Sequence, residues 1–136
     1  MFDNPFTLEL VTPERVVFRG EVRVLTAPGS EGGLQILRNH APLLTALDTG
    51  RLKIRDAQDV TVSYATSGGF LEVRNNLVTI LAETSERADQ IDVERAQRSK
   101  ERAEERLKGA KEDVDFERAR ASLLRAINRL KVAKQN

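Results

Sequence analysis

Up to about residue 85, apolar and polar residues alternate with a period of two. Leu8 and Leu10 flank Glu9, Val22 and Val24 flank Arg23, and Leu52 and Ile54 flank Lys53. Val60, Val62 and Tyr64 alternate with Thr61 and Ser63, and Leu71 and Val73 with Glu72 and Arg74. This period predicts half-buried strands. The segment "LVTILA" (77–82) is apolar on both faces, which predicts a central strand. Turn signals separate the strands: Thr12-Pro13, Pro28-Gly29, Asp56 to Asp59, Gly68-Gly69 and Asn75-Asn76. Connections this short suit antiparallel neighbours and leave no room for parallel crossovers. The expectation is an all-β N-terminal domain, an antiparallel β-sandwich or flattened barrel over residues 1–86, with Gly20 at a bulge or bend.

From about residue 87 to 136 the period changes to that of helices. Pro is absent, Gly109 is the only glycine, and Ala, Arg and Glu dominate. A first helix is predicted from about Asp92 to Lys108, with the stripe Val93, Ala96, Ala103, Leu107 and Ala110, and Gly109 as its stop. A second begins at Asp113 or Asp115, with the stripe Phe116, Ala119, Leu123, Ile127 and Leu130. The short connection predicts an antiparallel α-helical hairpin. Nine large apolar residues and seven alanines hold it together, so a ligand or partner could decide where it sits.

The chain has 136 residues, formal net charge +1 and no cysteine. It draws no global field toward nucleic acid or membrane, and it can form neither a disulfide nor a thiolate metal site. "MFDNPFTLEL" lacks a basic n-region and an apolar core, so it does not read as a signal peptide, and no run approaches a membrane span. Residues 86–136 carry 14 basic and 11 acidic side chains, interleaved as on solvated helices. The hairpin's only aromatic is Phe116, on the apolar stripe, which disfavours a nucleic-acid adaptor.

No motif supports catalysis. "APGSEGGLQ" lacks the Lys-Ser/Thr of a phosphate-cradling loop, no nucleophile-elbow sequence occurs, and His40 is the only histidine. His40 reads as a packed or hydrogen-bonded loop residue. The stretch "IDVERA" (91–96) is different. Asp92 suits a helix N-cap. A capping box would place Glu or Gln at 95; Arg95 stands there instead, a cation near the positive end of the helix dipole. Asp92, Glu86 or a phosphate could relieve that conflict. Arg125 and Arg129, four apart on one face, have no acid after Glu117 to pair with one turn on, and Arg118 lies near that face. The residue types alone leave open a capped, solvated basic face or an anion site.

"VTPERVVFRGEV", "HAPLLTAL", "SGGFLEVRNNLVTILAE", "ERADQIDVERA" and "LLRAINRL", in this order, make the chain resemble the epsilon subunit of bacterial F-type ATP synthases over nearly its whole length. The resemblance implies a non-catalytic central-stalk subunit, peripheral on the cytoplasmic side of the bacterial cell membrane. It implies a β-domain that binds the gamma subunit and the c-ring, with Glu31 and His40 as ring contacts. It further implies a hairpin that folds down or extends along gamma toward the catalytic alpha and beta subunits, restraining ATP hydrolysis. Several members bind ATP as a regulatory ligand on the folded hairpin. The matching residues here are Glu86, Ile91, Asp92, Arg95, Ala96, Arg125 and Arg129. The alternative is a purely structural rotor clamp without nucleotide. One departure is Arg38-Asn39 before His40, where many relatives have Pro-Gly, a different turn sequence in the ring-facing loop.

Overall fold

The computed structural model describes residues 4–135. The chain divides into two compact units whose boundary falls between Arg87 and Ala88. The first contains seven strands: β1 (Phe6–Val11), β2 (Val16–Gly29), β3 (Gly32–Ile36), β4 (Leu43–Ala46), β5 (Gly50–Asp56), β6 (Thr61–Arg74) and β7 (Leu77–Arg87). They run in the order β1-β7-β6-β5-β2-β3, and a β1–β2 pairing closes the path into a flattened barrel. β4 lies outside it, against β6. Alternation places Leu8, Leu10, Val22, Leu25, Leu52, Ile54, Leu71, Val73, Val78 and Ile80 in one core, each at most 2% exposed.

Two long strands serve both layers. β2 pairs with β1 up to Val22, then with β5 and β3. The change of partner coincides with a register shift between Val22 and Val24, where a bulge bends the strand. The bulge expected at Gly20 is not there: the register runs evenly from Leu8↔Gly20 to Glu9↔Arg19, and the missing side chain leaves room for the ring of Phe18.

Gly68-Gly69 is likewise no turn. Both glycines lie inside β6 with φ of 57° and 114°. A Cβ on Gly69 would sit 2.0 Å from the carbonyl oxygen of Leu81, so only glycine lets β7 approach this closely. The kink lets one strand pair with β5 through residues 61–66 and with β4 through residues 70–73.

β7 is central as expected, but only one of its faces is buried: Leu77 and Leu81 are exposed. Its pairing with β1 is parallel, from Thr7↔Leu77 to Val11↔Leu81, against the antiparallel expectation. The short-connection rule constrains consecutive strands, and β1 and β7 are the two ends of the domain in sequence.

The second unit contains a 3-10 turn (Ala88–Gln90), α1 (Val93–Gly109) and α2 (Asp113–Lys134). Asp92 is the N-cap of α1, its Oδ1 accepting the Arg95 N–H at 3.0 Å. Gly109 does not stop α1 as a left-handed cap. It is the last helical residue, and extended Ala110 ends the helix, its N–H bonding to Leu107 O. α2 follows Glu112, with Asp113 and Asp115 in a first turn that favours negative charge.

The helices meet along alanines. Ala96 and Ala103 on α1, and Ala119 and Ala126 on α2, are buried, each pair seven residues apart. A spacing of seven keeps both residues on one seam, and methyl-sized side chains let the axes approach closely. The large residues of the expected stripes stand on the flank: Phe116 and Ile127 are exposed, Leu123 and Leu130 half-buried.

Candidate functional site: an arginine cleft between two helices

One flank of the alanine seam is basic. Ser99, Arg102 and Arg106 project from α1, and Ser122, Arg125 and Arg129 from α2, around a cleft of about 290 Å³ that Ala103 also lines. The geometry follows from the helix period. On α1, residues 99, 102 and 106 are three and four apart, as are 122, 125 and 129 on α2, so each trio forms one stripe. The antiparallel pairing turns the two stripes toward each other.

Within each helix an arginine folds back onto the serine one turn earlier. Arg102 donates to Ser99 Oγ at 3.3 Å and Arg125 to Ser122 Oγ at 3.1 Å. These bonds use few of the guanidinium donors and hold the groups at the cleft. Among the described residues no carboxylate lines it. Four guanidinium groups line one cleft, and an anion with several oxygens could accept from more than one of them at once.

The residues expected from the sequence fall into three groups. Arg125 and Arg129 are in the cleft. Arg95 is seven residues before Arg102, hence on the same flank of α1 two turns nearer its N-terminus, but it is not among the lining residues. Asp92 is exposed and caps α1. Ile91 and Ala96 are buried, Ala96 in the seam itself, so they contribute packing and offer little open apolar surface. The 3-10 turn before Ile91 packs against α2, bringing the start of "IDVERA" to that helix. Glu86 belongs to the other unit, near the end of β7 and paired with Ala65 of β6.

Ser99, Arg102, Arg106 and Ser122 were missed by the sequence reading. Ala96 and Ala103 share the seven-residue spacing of Ala119 and Ala126, and that match was the available signal: it fixes how the helices face, hence which flank of α1 meets Arg125.

Glu31 and His40 lie at opposite ends of β3, which spans about 17 Å for its five residues. Glu31 is in the β2–β3 turn. His40 closes a turn by donating its N–H to Leu37 O at 3.2 Å, and its Nδ1 lies 2.8 Å from Ala41 O. Asn39 takes φ of 60°, the left-handed conformation that glycine also supplies, so Arg38-Asn39 still makes a tight turn.

The outer face of the barrel carries an apolar row. Val16, Val11, Leu81, Phe70 and Ala46 occupy one register line across β2, β1, β7, β6 and β4. Phe70 and Leu81 are 57% and 56% exposed, and Leu44 beside them 70%. No helix among the described residues is long and apolar enough to cross a membrane, and no group of three potential metal ligands gathers.

This pairing of a β-barrel with a two-helix unit is what comparison with known proteins returns. Residues 5–88 match the family model described as ATP synthase, Delta/Epsilon chain, beta-sandwich domain, and residues 89–134 the one described as ATP synthase, Delta/Epsilon chain, long alpha-helix domain. The ATP synthase epsilon chain of Syntrophomonas wolfei is 48% identical over 83% of this chain and 82% of its own. That of Desulforamulus reducens is 53% identical over 74% of this chain and 75% of its own. In fold, the chain is similar to one in the cryo-EM structure of Euglena gracilis mitochondrial ATP synthase. The TM-score is 0.82 at 19% identity, covering 97% of this chain and 82% of that one. The chain belongs to the epsilon chain family of the F-type ATP synthase.

Proposed function

We propose that this subunit is a non-catalytic part of the central stalk, joining gamma to the c-ring through its barrel and sensing ATP through its hairpin. The observation that carries the ATP reading is the arginine cleft, because its charges come from both helices. A triphosphate seated there would contact α1 and α2 together, so it would favour the paired hairpin over any state in which the helices separate. A ligand shifts such an equilibrium only by its difference in affinity between the states. At 100 times its dissociation constant the shift would be about 2.7 kcal/mol. When ATP falls, the hairpin is released to extend toward alpha and beta and to restrain hydrolysis.

The apolar row across five strands supports the gamma reading: a contiguous exposed apolar patch fits a protein partner. The turns carrying Glu31 and His40 are the proposed ring contacts, which would make the subunit peripheral to the membrane on its cytoplasmic side.

Calorimetric titration of the full chain with ATP tests the sensing role. Saturable binding, abolished in the Arg125→Ala/Arg129→Ala double variant, is the expected result. No heat at millimolar ATP would leave the structural-clamp alternative, in which the cleft is a solvated basic face.

A further inference from the structure

Asn75 and Asn76 join β6 to β7 with φ of 51° and 61°. Two successive residues of positive φ are what a type I′ hairpin turn requires, and glycine is the favoured second residue there. The backbone alone therefore gives no reason for asparagine at 76. Its side chain does. Asn76 Oδ1 accepts the N–H of Asn39 at 2.8 Å, and Nδ2 donates to Pro5 O at 3.4 Å. The Asn76 carbonyl accepts from Thr7 N–H at 3.2 Å. One residue thus ties together the β6–β7 turn, the start of β1 and the loop between β3 and β4.

The tie falls at a sensitive place in that loop. Asn39 is left-handed and is the third residue of the turn that His40 closes onto Leu37. Asparagine takes this conformation less freely than glycine, so a bond to its N–H selects the conformer that orients the next residue. We propose that Asn76 is a positioning residue for the proposed ring contact: it latches the Leu37–His40 turn and fixes the direction in which His40 is presented. This rests on the reading of His40 as a ring contact.

The test compares Asn76→Gly with Asn76→Asp in the full chain. Glycine suits the turn and removes both side-chain bonds. Aspartate tolerates the left-handed conformation and keeps an acceptor for Asn39 N–H. By NMR, exchange of the Asn39 amide should quicken about fivefold in Asn76→Gly and return toward wild type in Asn76→Asp. Affinity for a detergent-purified assembly of gamma and the c-ring should fall about fivefold in Asn76→Gly and recover in Asn76→Asp. Affinity for isolated gamma should not change.

His40→Ala separates the two ideas. If it weakens ring binding while Asn76→Gly frees the Asn39 amide without weakening it, the latch is wrong and the ring contact stands. If His40→Ala leaves ring binding intact, the ring reading falls and the latch falls with it.

Discussion

Leu81 of β7 lies directly opposite Phe70 of β6, and both side chains point away from the barrel core with more than half their surface exposed. Cross-strand apolar pairs normally stabilise a sheet. This one also sits at the middle of a row of five, where a partner would bury it. Phe70→Ala and Leu81→Glu should therefore leave thermal unfolding nearly unchanged. Each should weaken binding to purified gamma by ~2 kcal/mol, about 30-fold, as loss of a central interface residue does. Gamma affinity unchanged in both variants would move the interface elsewhere.

If the cleft holds ATP, Arg102 and Arg125 should matter to it equally. Both line the cleft, and both are steadied by a serine one turn earlier. Arg102→Ala should raise the ATP dissociation constant by about tenfold or more, the loss of one charge-assisted hydrogen bond. Added salt should weaken ATP binding by the wild type. A titration showing Arg102→Ala equal to wild type would confine the site to α2.

Gly69→Ala should be severely destabilising. The positive φ and the Leu81 carbonyl lying where a Cβ would be leave a methyl nowhere to go without parting β6 from β7. A loss of more than ~3 kcal/mol is expected in denaturant unfolding of the barrel. A variant as stable as wild type would mean that the strands can separate at little cost.

Ala119→Leu should wedge the alanine seam apart. Overpacking of a fully closed contact costs ~1–3 kcal/mol. Helical circular dichroism should melt earlier while the barrel transition stays in place. ATP affinity should fall too, because the two stripes of arginine would no longer face each other.

A chain truncated after Glu86 should keep a cooperative β-type unfolding transition and still bind gamma. The barrel's core residues run from Phe6 to Ala82, all within the first unit. An unfolded product would refute the independence of the barrel.

Alternation along Leu8-Glu9-Leu10 or Leu71-Glu72-Val73 reports which face a residue takes, and that much of the barrel could be read directly. It does not report which strand lies alongside, so the parallel β1–β7 pair stayed hidden. Gly68-Gly69 was misread because a kink inside a strand and a turn between strands ask for the same backbone freedom. Asp92 was legible as a cap because capping is local. Arg102 was not legible as a cleft residue, since that depends on the register of one helix against another. The expected stripes caught the buried Ala96, Ala103 and Ala119 but weighted the large Phe116 and Ile127, which are exposed, and left out Ala126, which is buried.

Every parallel pair between β1 and β7 joins residues seventy positions apart, from Thr7↔Leu77 to Val11↔Leu81. Contacts so distant in sequence are slow to form, because the loop between them must be closed before they add any stability. During synthesis β1 can find β2 early, yet its other edge stays open until β7 has left the ribosome. The hairpin emerges only afterwards. The order of translation therefore completes the last strand of the barrel before either helix has been made in full.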